Sequence, residues 1–186
     1  MTRIQIEARL SKSRAWILET YAALDERQLT TPVTPSEHDP DTAWNAKDHF
    51  VHPALIENDW VDMIRRFLGG SGDPVALFKD KSGSERTQEQ VIAAVHAFTE
   101  SWARKHREAT LNEAVAVSEA ARARTLELLS ELTDEQLTLK VPRAPWGDGT
   151  VGGIIARNAD HVRNHFGFVR EGWKEHGIAW EGAECW

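Results

Sequence analysis

A chain of 186 residues fits one domain of ordinary size and is long enough to bury a hydrophobic core. With 41% hydrophobic and 27% charged residues, and aromatics spread along its length, it is not expected to carry long disordered tracts. A formal charge of −7 argues against nucleic acid as a partner, because polyanion binding draws on clustered Lys and Arg; the basic run Ala103-Arg104-Lys105-His106-Arg107 reads as a solvated helix face.

The first residues, Met1-Thr2-Arg3-Ile4-Gln5-Ile6-Glu7, lack the apolar stretch of a signal peptide. No apolar run approaches the ~20 residues needed to cross a bilayer, so no membrane association is expected. The single cysteine, Cys185, excludes an intramolecular disulfide and suits a reducing compartment. Its place next to the last residue suggests a frayed, exposed thiol, and a cytoplasmic location follows as the expectation.

The dominant period is helical. Ile6, Leu10, Ile17, Tyr21 and Leu24 recur at three- and four-residue steps and predict a helix over about 3–28. A Pro-bearing loop follows, with the acidic stretch Glu37-His38-Asp39-Pro40-Asp41. A second helix is predicted from Asn45, with Asp48 completing a capping box, to the stop at Gly69-Gly70. Its inward stripe would read His52, Ile56, Met63 and Phe67, with Leu55 and Trp60 flanking. Beyond a Gly/Ser/Asp-rich stretch, Val91, Val95, Phe98 and Trp102 mark a third periodic segment, and Val117, Ala121, Leu128 and Leu132 a fourth over about 111–132. The last helix should begin near Thr150, after the turn-rich Pro145-Trp146-Gly147-Asp148-Gly149, and end near Gly172. Its stripe reads Val151, Ile154, Asn158, His161, His165 and Phe168. Alternating apolar residues between turn signals are lacking, so no strand is predicted.

An internal echo links two distant segments. Leu24-Asp25-Glu26-Arg27-Gln28-Leu29-Thr30 resembles Leu132-Thr133-Asp134-Glu135-Gln136-Leu137-Thr138. Each follows a long helix and precedes a Pro-bearing loop and a histidine-bearing helix. A duplicated unit of this kind would give the second and last helices equivalent places in a four-helix bundle.

Those two helices carry the chemistry. His161 and His165 lie four apart, so they share a helix face and can grip one ion; His52 lies on the apolar stripe of the other helix. Three imidazoles leave a coordination position open, the arrangement of a working metal rather than a structural one. An unpaired buried imidazole costs on the order of 1–3 kcal/mol, and a shared cation would satisfy all three at once. The plain alternative is that each histidine bonds a carbonyl or carboxylate. His49 is the rival third ligand, nearer the edge of the stripe. Pro53 should bend the helix just after His52. Asn158 could stand behind the ligands, join them, or bond the opposite helix, which is the commoner fate of a buried amide. Asp48, Glu57 and Asp160 are expected to be solvated or capping, with one free to orient an imidazole. Trp16, Trp60 and Trp102 read as packing, while Trp173, Trp180 and Trp186 could cover a pocket mouth or a dimer partner. Phosphate-loop, dinucleotide, nucleophile-elbow and H-E-x-x-H patterns are all missing.

The spacing from Trp44 to His52, the stretch Leu132-Thr133-Asp134-Glu135-Gln136-Leu137, and Gly149-Thr150-Val151 leading to His161-Val162-Arg163-Asn164-His165 resemble the DinB/YfiT-like superfamily, which includes the N-terminal domain of mycothiol-dependent maleylpyruvate isomerase. The resemblance spans nearly the whole chain and implies an all-α four-helix bundle, a single domain over 1–186; a loop-rich insertion about 69–108 departs from the family pattern and is expected to add a helix. It also implies a three-histidine site for a divalent metal, zinc or nickel, that falls on His52, His161 and His165, and often a homodimer. Pro53 departs from the pattern, which commonly has a small or aliphatic residue there.

Two functions fit. In the first, the protein is an enzyme, and the resemblance implies a transferase or isomerase in which a low-molecular-weight thiol attacks a small electrophilic substrate; the chain offers no obvious nucleophile of its own, and metal-water hydrolysis is the alternative chemistry. In the second, a non-catalytic bundle binds metal or a small ligand.

Overall fold

The computed structural model describes residues 1–36, 39 and 42–182; most of the acidic loop before the second long helix, and Cys185 and Trp186, lie outside the described residues. In chain order these form α1 (Arg3–Ala22), a short α2 (Glu26–Thr30), two-residue strands β1 (Thr34–Pro35) and β2 (Ala43–Trp44), α3 (Ala46–Leu68), α4 (Gln88–His106), α5 (Leu111–Glu131), a short α6 (Asp134–Thr138) and α7 (Val151–Glu175). The architecture is all-α. α3 packs against both α5 and α7, and α7 against α1, which makes these four the bundle; α4 is the additional helix and lies against α3.

Local chemistry sets the helix ends. Asn45 caps α3 through a reciprocal box with Asp48, and Thr150 caps α7, both as the sequence indicates. The first helix is shorter than its periodicity suggests. It ends at Ala22, because Asp25 accepts a bond from the Gln28 backbone and starts a new helix there. The echo heptapeptide does the same: Thr133 caps α6 and Gln136 closes the box.

The duplication extends further than the sequence shows. Leu29 and Leu137 are the buried residues of the two short helices. Val33 then bonds back to the Trp44 carbonyl at 2.8 Å, and Val141 to the Gly149 carbonyl at 2.9 Å, each next to the N-cap of a histidine-bearing helix. The first of these returns is the antiparallel pair β1–β2, a strand pair that the sequence reading does not foresee because it is too short to show alternation. In the second unit Gly152 permits the close approach of α6, since a Cβ there would stand 3.1 Å from the Leu137 carbonyl.

Two apolar clusters fill the bundle. One joins Trp60–Ile64 of α3 to Val151–Ala159 of α7; the other joins Ala46–Val51 of α3 to Phe166–Trp173 of α7. The two helices therefore run antiparallel, and His52, His161 and His165 fall where the clusters meet. The buried face of α3 is turned from the stripe expected of it. Phe50, Val51, Ala54, Trp60, Val61 and Ile64 are buried, whereas His52, Ile56 and Phe67 are only partly so. Phe168, also placed inward by its spacing, is 53% exposed. Trp173 and Trp180 are packing residues around Phe166, with Trp173 fully buried, and neither covers the histidines.

Candidate metal centre

His52 from α3 and His161 and His165 from α7 come together with one ring nitrogen of each within 4.8 Å of the others. The rings lie 4.5 Å (His52–His165), 4.8 Å (His161–His165) and 5.2 Å (His52–His161) apart between centroids. Donor atoms around a tetrahedral zinc with bonds of about 2.0–2.1 Å sit roughly 3.4 Å apart, so the cluster needs only small side-chain rotations to close on an ion. His52 Nδ1 and His161 Nδ1 are buried without a hydrogen-bond partner. Two orphaned imidazole nitrogens in one place are costly unless something ligates them, and a cation fits that need. Trp60 stacks on His161 and Trp44 packs on His52, fixing both rings from the outside.

His49 is not a fourth member of this cluster. It is 3% exposed and sits behind His165, with the two Nδ1 atoms 3.0 Å apart and its own Nε2 2.9 Å from Thr34 Oγ1. One Nδ1 of the pair must carry the proton. If His165 donates, its Nε2 is bare and ready to ligate, and His49 passes its own proton to Thr34. If His49 donates, neutral His165 has its proton on Nε2 and cannot ligate there. A cation at Nε2 thus selects the first arrangement, in which His49 is the acceptor that sets the tautomer.

The carboxylates expected near the ligands have other occupations. Asp48 closes the capping box of α3, accepting from the Asn45 backbone N–H. Glu57 is buried rather than solvated, in a two-bond pair with Arg122 of α5. Asp160 meets Arg9, Arg157 and Arg163. Asn158 donates to the Ile155 carbonyl of its own helix, not to the opposite one. A carboxylate that does reach the site is one the sequence reading passes over. Glu100 of α4 is 2% exposed and accepts from Ser36 Oγ, Trp44 Nε1 and Arg107. It lines a cavity of about 260 Å³ with His49, His52, His165 and Phe168, and so ties the additional helix to the histidines.

Burial drives the histidines toward neutrality. It pulls His52 down to about 3 and His49 and His161 to about 4, with His165 also well below its ordinary value of 6.5. Neutral imidazole is the form that binds metal. The same shifts set an acid sensitivity: the unfolded chain takes up protons below pH 6.5 while the folded one does not, so stability falls as pH drops from 6.5 toward 4. Each histidine contributes up to about 1.4 kcal/mol per pH unit in that window. Urea midpoints of chelator-treated protein should accordingly fall steeply from pH 6.5 to 5; a flat profile would contradict the buried neutral cluster.

The DinB superfamily model matches residues 37–169, which takes in α3 through most of α7 and all three histidines. The chain belongs to the DinB superfamily. No curated protein matches this DinB-superfamily chain. Its fold is similar to that of an uncharacterised protein from Escherichia coli UTI89 solved by crystallography, with a TM-score of 0.59, 16% identity and 96% of each chain covered. No helix among the described residues is long and apolar enough to cross a membrane.

Proposed function

We propose that this protein binds a divalent metal, zinc or nickel, through His52, His161 and His165, and serves as a transferase or isomerase that joins a low-molecular-weight thiol to a small electrophile. The observation that carries this reading is the convergence of three mostly buried, neutral imidazoles from two helices, two of them with orphaned nitrogens. When bound, such an ion would supply Lewis acidity and hold an incoming thiol in its thiolate form. The residues around the site do the rest. His49 and Thr34 keep His165 in the ligating tautomer, and Trp44 and Trp60 hold the other two rings. The cavities beside the histidines leave room for small reactants. Superfamily membership supports the same assignment.

Elemental analysis of purified protein, followed by the visible spectrum after cobalt substitution, tests the site. Stoichiometric metal and an intense spectrum of low coordination number are expected; a protein that takes up no divalent ion would end the proposal. Replacement of His49 by Phe should weaken metal affinity by roughly 10–100-fold, the usual cost of losing an orienting partner. His49→Gln, whose amide oxygen can still accept from His165, should recover much of that loss in a competitive chelator titration.

A further inference from the structure

A second cavity also borders the histidines. It has a volume of about 610 Å³, and His52 and His161 reach its floor. Another hollow of the same volume, bordered by Met1, Arg9, Lys12 and Asp160, holds none of the three histidines. One wall of the histidine cavity belongs to the bundle: Trp60, stacked on His161 at 5.7 Å, with Trp146 tilted against it at 5.5 Å. The other wall is built by the inserted stretch, with Val75 and Leu77 from its loop and Phe98 from α4. Flat, apolar surface therefore leads directly to the proposed metal ligands.

The charge on that cavity runs against the rest of the molecule. In a chain of net charge −7, three arginines line it, Arg66, Arg86 and Arg157, with Asp59 as the only carboxylate among the described residues. Two of the arginines are braced on backbone: Arg66 Nε donates to the Pro74 carbonyl and Arg86 Nη1 to the Leu77 carbonyl, both at 2.9 Å. Each such bond fixes the guanidinium plane while leaving further N–H groups of the fork for another acceptor. Arg157 is turned toward Asp160, at 3.5 Å, and adds field rather than a ready fork. Burial raises the Asp59 carboxyl above its ordinary range, while the neighbouring Arg66 guanidinium pulls it back down.

We propose that this cavity binds an organic anion with a flat apolar body, its acid group on Arg66 and Arg86 and its body between Trp60, Trp146 and Phe98. This deepens the reading of the histidine site, since it names the electrophile's chemical class, but the cavity can be tested with no metal present. Carboxylate and phosphate ester share the chemistry that two braced guanidinium forks recognise.

The test titrates 2-naphthoate, 2-naphthamide and 2-naphthyl phosphate into chelator-treated protein, following tryptophan fluorescence and heat. The naphthoate should bind at least about tenfold more tightly than the neutral amide, because it alone makes charge-assisted bonds. Its affinity should fall with added salt while that of the amide stays level. R86Q and R66Q should each weaken naphthoate several-fold and leave the amide unchanged, which guards against misfolding as the cause; R86K, which keeps the charge but not the fork, should recover only part of the loss. Tighter binding of the phosphate assigns the anion as a phosphate ester, and weaker binding assigns it as a carboxylate. Equal affinity for acid and amide, salt-independent binding, or no binding of any probe would overturn the proposal. Because every titration is made without metal, failure here and failure of metal uptake are read separately.

Discussion

Arg122→Met is expected to cost about 3–5 kcal/mol of stability, more than any single truncation on the surface of this bundle. Arg122 is 9% exposed and Glu57 is 3% exposed. The guanidinium holds both oxygens of Glu57, at 2.7 and 3.2 Å, and donates a third bond to the Leu10 carbonyl at 2.9 Å. One side chain of α5 thus clasps α3 and α1 together. Removing it strands a carboxylate and a carbonyl away from water, and the desolvation of the unpaired charge dominates the loss. The pair itself is not strongly stabilising relative to an apolar one, since two ions had to leave water to form it. A double replacement, Glu57→Leu with Arg122→Met, should therefore recover most of what the single change loses. Urea denaturation of the two single variants and the double one measures both effects. A single-variant loss below about 1 kcal/mol would show that water reaches the pair.

The layout of the bundle was largely legible in the sequence, because helix caps and stops are local. Asn45 with Asp48, Thr150, and the Gly69-Gly70 stop are decided by residues within a turn of one another. The echo of Leu24–Thr30 in Leu132–Thr138 carried long-range information as well, since it pairs the two helices that bear the histidines. What periodicity could not give was the rotation of α3 about its own axis. A period near 3.6 marks a face but not what that face meets. The inserted helix α4 covers only part of α3, so His52, Ile56 and Asp59 border cavities while Phe50, Ala54 and Glu57 take the deep positions. The partners of Glu57, His49 and Glu100 were illegible for a related reason. Arg122, His165 and Trp44 lie far away in the chain, and nothing local signals which buried polar group will meet which. His49, set aside as a rival ligand, turns out to be bonded to one of the three histidines instead.

His161→Ala is expected to abolish stoichiometric metal binding. Apparent binding energies of about 10–16 kcal/mol for four-ligand zinc sites average roughly 2.5–4 kcal/mol per ligand, so one lost imidazole should weaken affinity by about two to three orders of magnitude. Its ring stands at the corner of the cluster that faces the larger cavity, backed by Trp60, and no other histidine among the described residues of the cluster can replace it. His49 cannot swing in while it holds Thr34 and His165. Elemental analysis after dialysis against a weak chelator reads the outcome, with His176→Ala, an exposed position, as the control that should keep its metal. Thermal unfolding adds a second reading. Wild-type protein should lose stability when stripped of metal, by an amount that grows with the logarithm of metal concentration over Kd, whereas the His161→Ala variant should melt at one temperature with or without chelator. Full retention of metal in that variant would mean that these imidazoles are neighbours of convenience, satisfied by packing and water rather than by a shared cation.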